Sequence, residues 1–440
     1  MSMTGRRAAL EALRACRRNA AWSDAALSGV IKSGELPPRE AALASRICYG
    51  VVQNTALCDY YISRYLNKSI NRLEPTVLDI LRMGVYQIAM MDKIPVSAAV
   101  NESVKLAKQS GASRSAGLIN AVLRKFANSP LPEIDTGDET EDISIRFSHP
   151  RWLTERICDI IGVEGAKSFF ACNNSAPPVA AQVNTLRTDI DNLRQRLEQA
   201  GIACDKHYVP NCLILSNTGS LDSIPEFNEG HFYIQDPAAA MAVMAAGLKP
   251  GMRVLDGCAA PGGKTFACAI AMENSGTVVS CDIHGKKLKR ISDGAARLGI
   301  DIVETVCRDS RQNTEEYNGE FDAVIADVPC SGLGVIRKKP EIRYKKPEDI
   351  AALPGIQLDI LKNLSRYVKA GGVLIYSTCT VLPEENEGVI QAFLSQNGEF
   401  KMEGFKLPEP VGAVSGGMVT LWSHIHDTDG FFICKLRRIQ

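Results

Sequence analysis

The chain has 440 residues, 45% hydrophobic and 23% charged, which is more than one hydrophobic core usually supports, so two or three folded units of an ordinary globular protein are expected. No run of 18 apolar residues appears, and the N-terminal MSMTGRRAALEALRACRRN lacks the uninterrupted apolar core of a secretory signal; the cytoplasm is the expected compartment and no membrane partner is expected. Lys and Arg balance Asp and Glu overall, yet residues 1–130 hold 18 basic groups against 9 acidic ones, residues 131–235 hold 8 against 16, and the remainder 24 against 25. A basic first segment suits a polyanionic partner, although a solvated charged face accounts for it as well.

In chain order, residues 1–130 show helical periodicity throughout. Val77, Ile80, Leu81, Gly84, Ile88 and Met91 share one face, as do Leu118, Ile119, Val122, Leu123 and Phe126, so this part is expected to be an all-helical domain. The stretch SPLPEIDTGDETED (129–142) has two prolines and six acids among its last ten residues, and an exposed acidic linker is expected over 131–143. Residues 144–235 read as a small α+β module: a helix after HPRW, a strand at VAAQVNT, an amphipathic helix over DIDNLRQRLEQAG closing on Gly201, and a strand at CLILSN.

From residue 236 to 440 near-continuous apolar strands alternate with amphipathic helices. The strands are RVLDGC, TVVSCD, IVETVC, FDAVIADVP and GVLIYST; helices follow Lys264, cover GKKLKRISDGAARLG and lie near 348–369. Such a pattern describes a parallel sheet covered on both faces, a doubly wound α/β fold of Rossmann-like type whose ligands lie at the carboxyl ends of the strands.

LDGCAAPGGKT (255–265) is the turn from the first of these strands into the first helix. Gly262 and Gly263 allow close backbone approach, Pro261 stiffens the loop, and the amides at the helix start favour an anionic group. It is not GxGxxG, and Asp256 at the strand end would repel a pyrophosphate. S-adenosylmethionine carries an ammonium, a carboxylate and no phosphate, and it suits the loop better. Asp282 closes the second strand, 20 residues after Gly262, where an acid can accept hydrogen bonds from ribose hydroxyls, and Asp309 after the third could meet the adenine. A lone Asp at a strand end is commonly a cap or turn residue; three on one sheet beside a Gly-Gly loop point to a cofactor.

Two thiols stand at strand ends, Cys330 in IADVPCSGLG and Cys379 in IYSTCT. The other cysteines form no CxxC pair, which argues against a zinc ribbon or a redox dithiol, and no metal is expected. Cys16, Cys48, Cys58, Cys158, Cys172, Cys268 and Cys434 read as buried free thiols. A thiolate that adds to carbon 6 of cytosine turns the electron-poor carbon 5 into a nucleophile able to take a methyl group, and Asp327 beside the ring's N3 and exocyclic amine could assist. A cysteine of ordinary pKa is only about 3% thiolate at neutral pH, so roughly 2 kcal/mol of favourable environment is required. Spacing leaves open which thiol attacks and which assists release.

VIRKKPEIRYKK (335–346) follows directly, with Arg337, Lys338, Lys339, Arg343, Lys345 and Lys346 around Tyr344 and the single acid Glu341. Basic residues with an interleaved aromatic suit phosphates and a stacked base, and the same composition also fits a mobile solvated loop.

With CAAPGGKT, DVPCSGLG and the IRKKPEIRY after it, STCT with LPEENE, and TDGFF in hand, the chain resembles the bacterial RNA (cytosine-5)-methyltransferases of the RsmB/Sun/Fmu type, which act on 16S ribosomal RNA. The resemblance spans essentially the whole sequence. ALASRICYGVVQN, ILRMGVYQIAMMDKIPVSAAVNESVKLAK and LINAVLRKF are similar to the helical, RNA-binding NusB domain, and the middle module resembles the RRM-like subdomain of the family. The resemblance implies Cys379 as nucleophile, Cys330 as the thiol that assists product release, and cofactor contacts from Cys258, Ala259, Ala260, Pro261, Gly262, Gly263, Lys264, Asp282, Asp309 and Asp327. It further implies S-adenosylmethionine as cofactor and 16S rRNA, unassembled or in early assembly, as partner, with a monomer favoured. Two positions depart from the family pattern: Gly257 replaces a larger apolar residue, and Ser423 stands where proline is common. A non-catalytic RNA-binding or antitermination factor is the rival reading; a DNA cytosine methyltransferase and a nicotinamide dehydrogenase are weaker ones.

Overall fold

The structure is a computed structural model and describes residues 3–19 and 23–439. The chain forms two units, one of residues Met1–Ser175 with Ile336–Lys345, the other of Ala176–Val335 with Lys346–Gln440. Among the described residues no helix is long and apolar enough to cross a membrane.

The first unit is helical: α1 (Gly5–Asn19), α2 (Ser23–Ser33), α3 (Pro38–Gln53), α4 (Thr55–Ser63), α5 (Pro75–Met90), α6 (Val96–Gln109), α7 (Ala116–Ala127), α8 (Glu139–Phe147) and α9 (Arg151–Asn173). Its core joins Leu10 of α1, Ile47 and Val51 of α3, Ile80 and Leu81 of α5 and Ile119, Leu123 and Phe126 of α7. Gly84 lets α5 and α7 approach: a Cβ there would stand 2.6 Å from a methyl of Leu123. Pro75 opens α5 at a position whose N–H has no helical partner in any case.

The acidic stretch behaves differently from the expected linker. Its second half is the start of α8, where the Asp138 side chain accepts from the Thr140 and Glu141 amides, and Glu139, Glu141 and Asp142 fall in the first turn. Acids there face the positive end of the helix dipole, so the charge density that suggested an unfolded connector is a helix start. The helix after HPRW is α9, broken at Gly162 (φ +73°), and it packs within the compact helical unit.

In the second unit a small antiparallel sheet of order β2-β3-β1-β4 comprises β1 (Val179–Val183), β2 (Ala203–Lys206), β3 (Cys212–Ser216) and β4 (Phe232–Ile234). Helix α10 (Ile190–Gln199), capped by the Asp189 side chain, buries Leu193 and Leu197 against Ala181, Val183, Leu213, Leu215 and Phe232. The short α11 (Pro225–Asn228) leads to β4, and α12 (Pro237–Ala246) leads into the large sheet.

That sheet contains β5 (Arg253–Asp256), α13 (Gly263–Ala271), β6 (Thr277–Asp282), α14 (Gly285–Leu298), β7 (Val303–Cys307), β8 (Phe321–Asp327), α15 (Pro347–Ile350), α16 (Leu353–Ser365), β9 (Val368–Thr378) and α17 (Glu387–Leu394), in chain order. After β10 (Phe400–Met402) come a separate pair, β11 (Phe405–Lys406) with β12 (Ala413–Val414), and then β13 (Met418–Leu421), α18 (Ser423–His426) and β14 (Phe431–Arg438). The strand order is β10-β14-β9-β8-β5-β6-β7, with β13 on β14. Strands β7, β6, β5, β8 and β9 run parallel, and their alternate residues point to two cores, Val254, Val278, Ile325 and Ile375 on one face and Leu255, Val279, Val324 and Leu374 on the other. The order reverses between β5 and β8, which opens a crevice at their carboxyl ends.

The doubly wound reading holds for these five strands, and an antiparallel extension of β14, β13 and β10 completes a mixed sheet. The helix expected to about residue 369 ends at Ser365 in α16, because Val368 already begins β9. Of the cysteines expected to be buried, Cys48, Cys58, Cys268 and Cys434 are, whereas Cys16, Cys158 and Cys172 are only partly covered; all fourteen are free thiols.

Candidate active site

Strand β8 delivers Asp327 and then Cys330; its parallel neighbour β9 delivers Ser377 and then Cys379, with Asp327 in register with Ser377. The turns beyond both strand ends are laced together. Val328 N–H donates to Ser377 O (3.1 Å), Gly334 N–H donates to Cys379 O (3.0 Å), and the Ser331 and Thr380 hydroxyls, both fully buried, lie 2.7 Å apart. Two thiols 49 residues apart are thereby brought to an Sγ–Sγ distance of 3.1 Å. The hydrogen bond to Cys379, then burial, then the charges of Cys379, Glu385 and Asp327, raise the Cys330 thiol well above its ordinary pKa. Cys330 is thereby held protonated.

Asp327 has both oxygens engaged: Oδ1 accepts from Ser377 Oγ (2.8 Å) and Oδ2 pairs with Lys264 Nζ (2.7 Å). Lys264 is buried, with its ammonium 5.0 Å from the Phe431 ring centroid. Burial alone would discharge it, but Asp327 above all, with Asp256 and Cys379, holds its pKa above the ordinary value. A buried cation is thus placed to favour negative charge at Cys379.

The segment Cys258–Lys264 leads from β5 into the first turn of α13, with Gly262 as its N-cap. Gly262 has φ +114°, and a Cβ there would meet the Phe266 ring at 2.7 Å, so only glycine fits. Gly262 N–H closes the turn on Ala259 O (2.7 Å), and Asp282 at the end of β6 accepts from Ala260 N–H (3.3 Å) and His284 N–H (2.8 Å). A cavity of about 480 Å³ is lined by Cys258, Ala260, Asp282, Asp309, Asp327, Cys330 and Cys379 among others. Its size suits a small-molecule ligand, and its acids with an adjoining pair of thiols suit a cationic donor such as S-adenosylmethionine. Asp309 is tied to Arg311, whose hydrogen bonds hold its carboxyl below the ordinary range. Ala259, Pro261, Gly263 and Lys264 instead line an adjoining cavity of about 850 Å³, which shares Cys258, Ala260 and Asp327 with the first.

Two expectations, for Asp256 and Arg343, are corrected here, and the Gly257 departure is accounted for. Asp256 does not present its charge to the loop: it is fully buried, accepts from Thr265 Oγ1 (2.8 Å), and burial pushes its carboxyl up to about 7. Gly257 leaves no gap, since Leu364 fills the space, 2.5 Å from where a Cβ would sit. Arg343 is not available to phosphate. It is fully buried in the helical unit, where its guanidinium donates to Gln53 O (2.9 Å), Ser148 O (3.3 Å), Asn174 Oδ1 (2.8 Å) and Pro340 O (3.0 Å), and burial lowers its pKa to about 10.

The rest of the basic segment is divided. Tyr344 donates its hydroxyl to Val52 O (2.8 Å) while part of its ring stays exposed, and Lys345 O accepts from Trp152 Nε1 (3.2 Å). Lys339 and Lys346 are exposed; Arg337, Lys338 and Lys345 are half-buried. Ser423 is buried at the first position of α18, where proline is equally tolerated. The residues missed in the sequence are Glu385, Gln357, Ser331 and Thr380, all buried beside the thiol loops. Glu385 is one of three acids in LPEENEG, a pattern that by itself reads as solvated surface.

A mixed sheet with five parallel strands in the order found here, a glycine loop after its central strand and acids at the next strand ends is the architecture of Rossmann-like methyltransferases. Comparison with known proteins narrows the class. The model described as 16S rRNA methyltransferase RsmB/F matches residues 243–437, the NusB family model matches 3–128, and the RsmF/B-like ferredoxin-like domain matches 149–222. A Bacillus subtilis (strain 168) protein named probable ribosomal RNA small subunit methyltransferase B is 37% identical over 437 residues, 98% of each chain. The ribosomal RNA small subunit methyltransferase B of Pseudomonas syringae pv. tomato is 32% identical over 99% of this chain and 97% of its own. The crystal structure of PH0851 is 29% identical with a TM-score of 0.83, covering 99% of this chain and 98% of that one. The chain belongs to the 16S rRNA methyltransferase RsmB/F family.

Proposed function

We propose that this protein transfers a methyl group from S-adenosylmethionine to carbon 5 of one cytidine in 16S rRNA, with Cys379 as nucleophile and Cys330 assisting product release. The observation that carries the reading is the pair of thiols 3.1 Å apart at the ends of adjacent strands, beside the Lys264–Asp327 ion pair and on the wall of the cavity that holds Cys258, Asp282 and Asp309. A redox or metal pair has no need of a buried lysine and an acid facing it.

Cys379, favoured as thiolate by Lys264, adds to carbon 6 and forms a C–S bond. Asp327 contacts the pyrimidine at N3 and the exocyclic amine: as a carboxylate it accepts from the amine, and from N3–H once solvent has protonated the N3 that thiolate addition makes basic. S-adenosylmethionine, held by residues 258–264, Asp282, Asp309 and Asp327, supplies an electrophilic methyl. Loss of the carbon 5 proton and cleavage of the C–S bond then free the product. The target base has to leave its stack to reach the thiols, a cost lowered in unpaired RNA, so unassembled or early-assembly rRNA in the cytoplasm is the proposed substrate and the protein acts as a monomer. The NusB-like unit and the exposed Lys339 and Lys346 add RNA affinity.

Cys330→Ala is expected to accumulate a protein–RNA adduct that survives denaturing gels, and Cys379→Ala to form none; the reverse pattern overturns the assignment. Bisulfite sequencing of rRNA from cells with and without the protein identifies the nucleotide. A non-catalytic RNA-binding role would leave methylation unaffected in Cys379→Ala.

A further inference from the structure

Two thiols in contact cannot both ionise without strong repulsion, so when the pair loses one proton its surroundings decide which sulfur keeps the other. Lys264 lies on the side that favours charge at Cys379. On the other side of Cys330 is a group that the catalytic proposal does not use. Glu385 is 2% exposed, and its Oε2 accepts two N–H donors, the Ser331 amide at 2.8 Å and Gln357 Nε2 at 2.8 Å. The same Gln357 amide nitrogen donates to Pro329 O at 3.0 Å. Glu385 and Gln357 therefore grip the backbone on both flanks of Cys330, before and after it. Tyr376 completes the clasp, its hydroxyl donating to the Glu385 carbonyl at 2.5 Å.

The hydrogen bonds of Glu385 suit a carboxylate. Its Oε1 is buried and has no hydrogen-bond partner among the described residues, so it has nothing to donate to as a protonated acid, while Oε2 accepts twice as a carboxylate does. No lysine, arginine or histidine pairs with it among the described residues. The negative charge of Asp327, the other acid facing Cys330, is answered by Lys264 at 2.7 Å. The remaining groups around the thiol, Cys379 and the neutral Tyr376 phenol, bring no cation. An unneutralised buried carboxylate is costly to maintain, and here it sits behind one of two otherwise equivalent sulfurs.

We infer that Glu385 is a positioning residue that sets the Cys330 loop against Cys379 and, as a buried negative charge, keeps the shared proton on Cys330 and the thiolate on Cys379. The inference rests on the two-thiol reading above. It explains how a single proton is distributed between identical side chains before substrate arrives.

The test is the pH dependence of alkylation of each thiol by iodoacetamide in the full chain, with reaction at Cys330 or Cys379 located by peptide mass spectrometry. In Cys379→Ala, Cys330 is expected to react with a higher apparent pKa than Cys379 does in Cys330→Ala. Adding Glu385→Gln, which keeps one acceptor oxygen and removes the charge, is expected to raise the Cys330 rate at pH 7.5 about tenfold, equivalent to one pH unit, and to change the Cys379 rate less than about twofold. Glu385→Asp keeps the charge but shortens the grip, so it leaves the pH profile of Cys330 in place while slowing release of the protein–RNA adduct. A Cys330 that ionises more readily than Cys379, or a Glu385→Gln effect equal on both thiols, overturns the inference; the first comparison needs no change at Glu385 and is informative even if that variant does not fold. If the adduct pattern of the single cysteine variants holds and these profiles fail, only the role of Glu385 falls.

Discussion

Two consecutive stretches of chain, 328–335 and 336–345, each contact a buried charged side chain, and they use it in opposite ways. The first is gripped by Glu385, a carboxylate with one oxygen unpartnered, lying beside a thiol whose protonation it influences. The second contains Arg343, whose guanidinium donates to four backbone carbonyls and the Asn174 amide oxygen. Neither forms an ion pair among the described residues, but Arg343 is surrounded by groups that merely need donors, whereas Glu385 is next to a group that can change state. What a buried charge does is set by whether its neighbours titrate.

That contrast can be broken, beginning with the largest effect. If the first stretch is catalytic, Cys379→Ala reduces methyl incorporation into rRNA by more than about a thousandfold, while its thermal melt stays at the parental value; residual turnover at a tenth of the parental rate would remove the covalent step. If the second is structural, Arg343→Ala leaves buried carbonyls without donors and costs about 3 kcal/mol, read as a lower melting temperature of the helical unit. An Arg343→Ala protein that melts normally but binds RNA poorly would restore the phosphate-binding role withdrawn above.

Smaller effects sharpen the boundary. RNA affinity is expected to fall with salt at a log–log slope of about −2 to −3 if three or four basic groups of the segment bind phosphate, and Lys339→Glu or Lys346→Glu to make the slope shallower by about 0.7 each. Equal slopes for parent and variants would assign the exposed lysines to solvent. The smallest effect concerns Asp256, whose carboxyl is pushed up to about 7 by burial from an ordinary value of 3.8. An acid raised on folding contributes stability that is complete below about pH 4 and lost as pH climbs through about 7. The melting temperature should therefore drop between about pH 4 and 7, and Asp256→Asn should flatten that slope.

Periodicity and motif spacing carried the sequence reading a long way where local rules govern the outcome. GKKLKRISDGAARLG has an apolar face every third or fourth residue and a last glycine at φ +70°; α14 covers all of it but that capping glycine. The glycine loop is similarly local, because Gly262 needs a backbone angle other residues resist. The failures share a cause: each depends on a partner far along the chain. Arg343 looked like surface because its acceptors at residues 53, 148 and 174 cannot be read from KKPEIRYKK. Glu385 carries no local sign of burial, because Ser331 and Gln357 lie 54 and 28 residues away. Strand β14 escaped notice because Lys435 and Arg437 break its apolar run, and both are answered by Glu403.

The course of the backbone around Val335 has a further consequence. Residues 336–345 belong to the helical unit, while the chain before and after them belongs to the other, so the polypeptide is interlaced where a string of modules would be cut once. A protease fragment beginning near residue 176 would retain ten residues whose packing partners lie in the missing unit, among them a desolvated guanidinium and a proline. Excision of the helical module, in the laboratory or in descent, would thus leave an unpaired splint attached to the loop that bears Cys330, and could not yield an intact half-protein without repair at that splice.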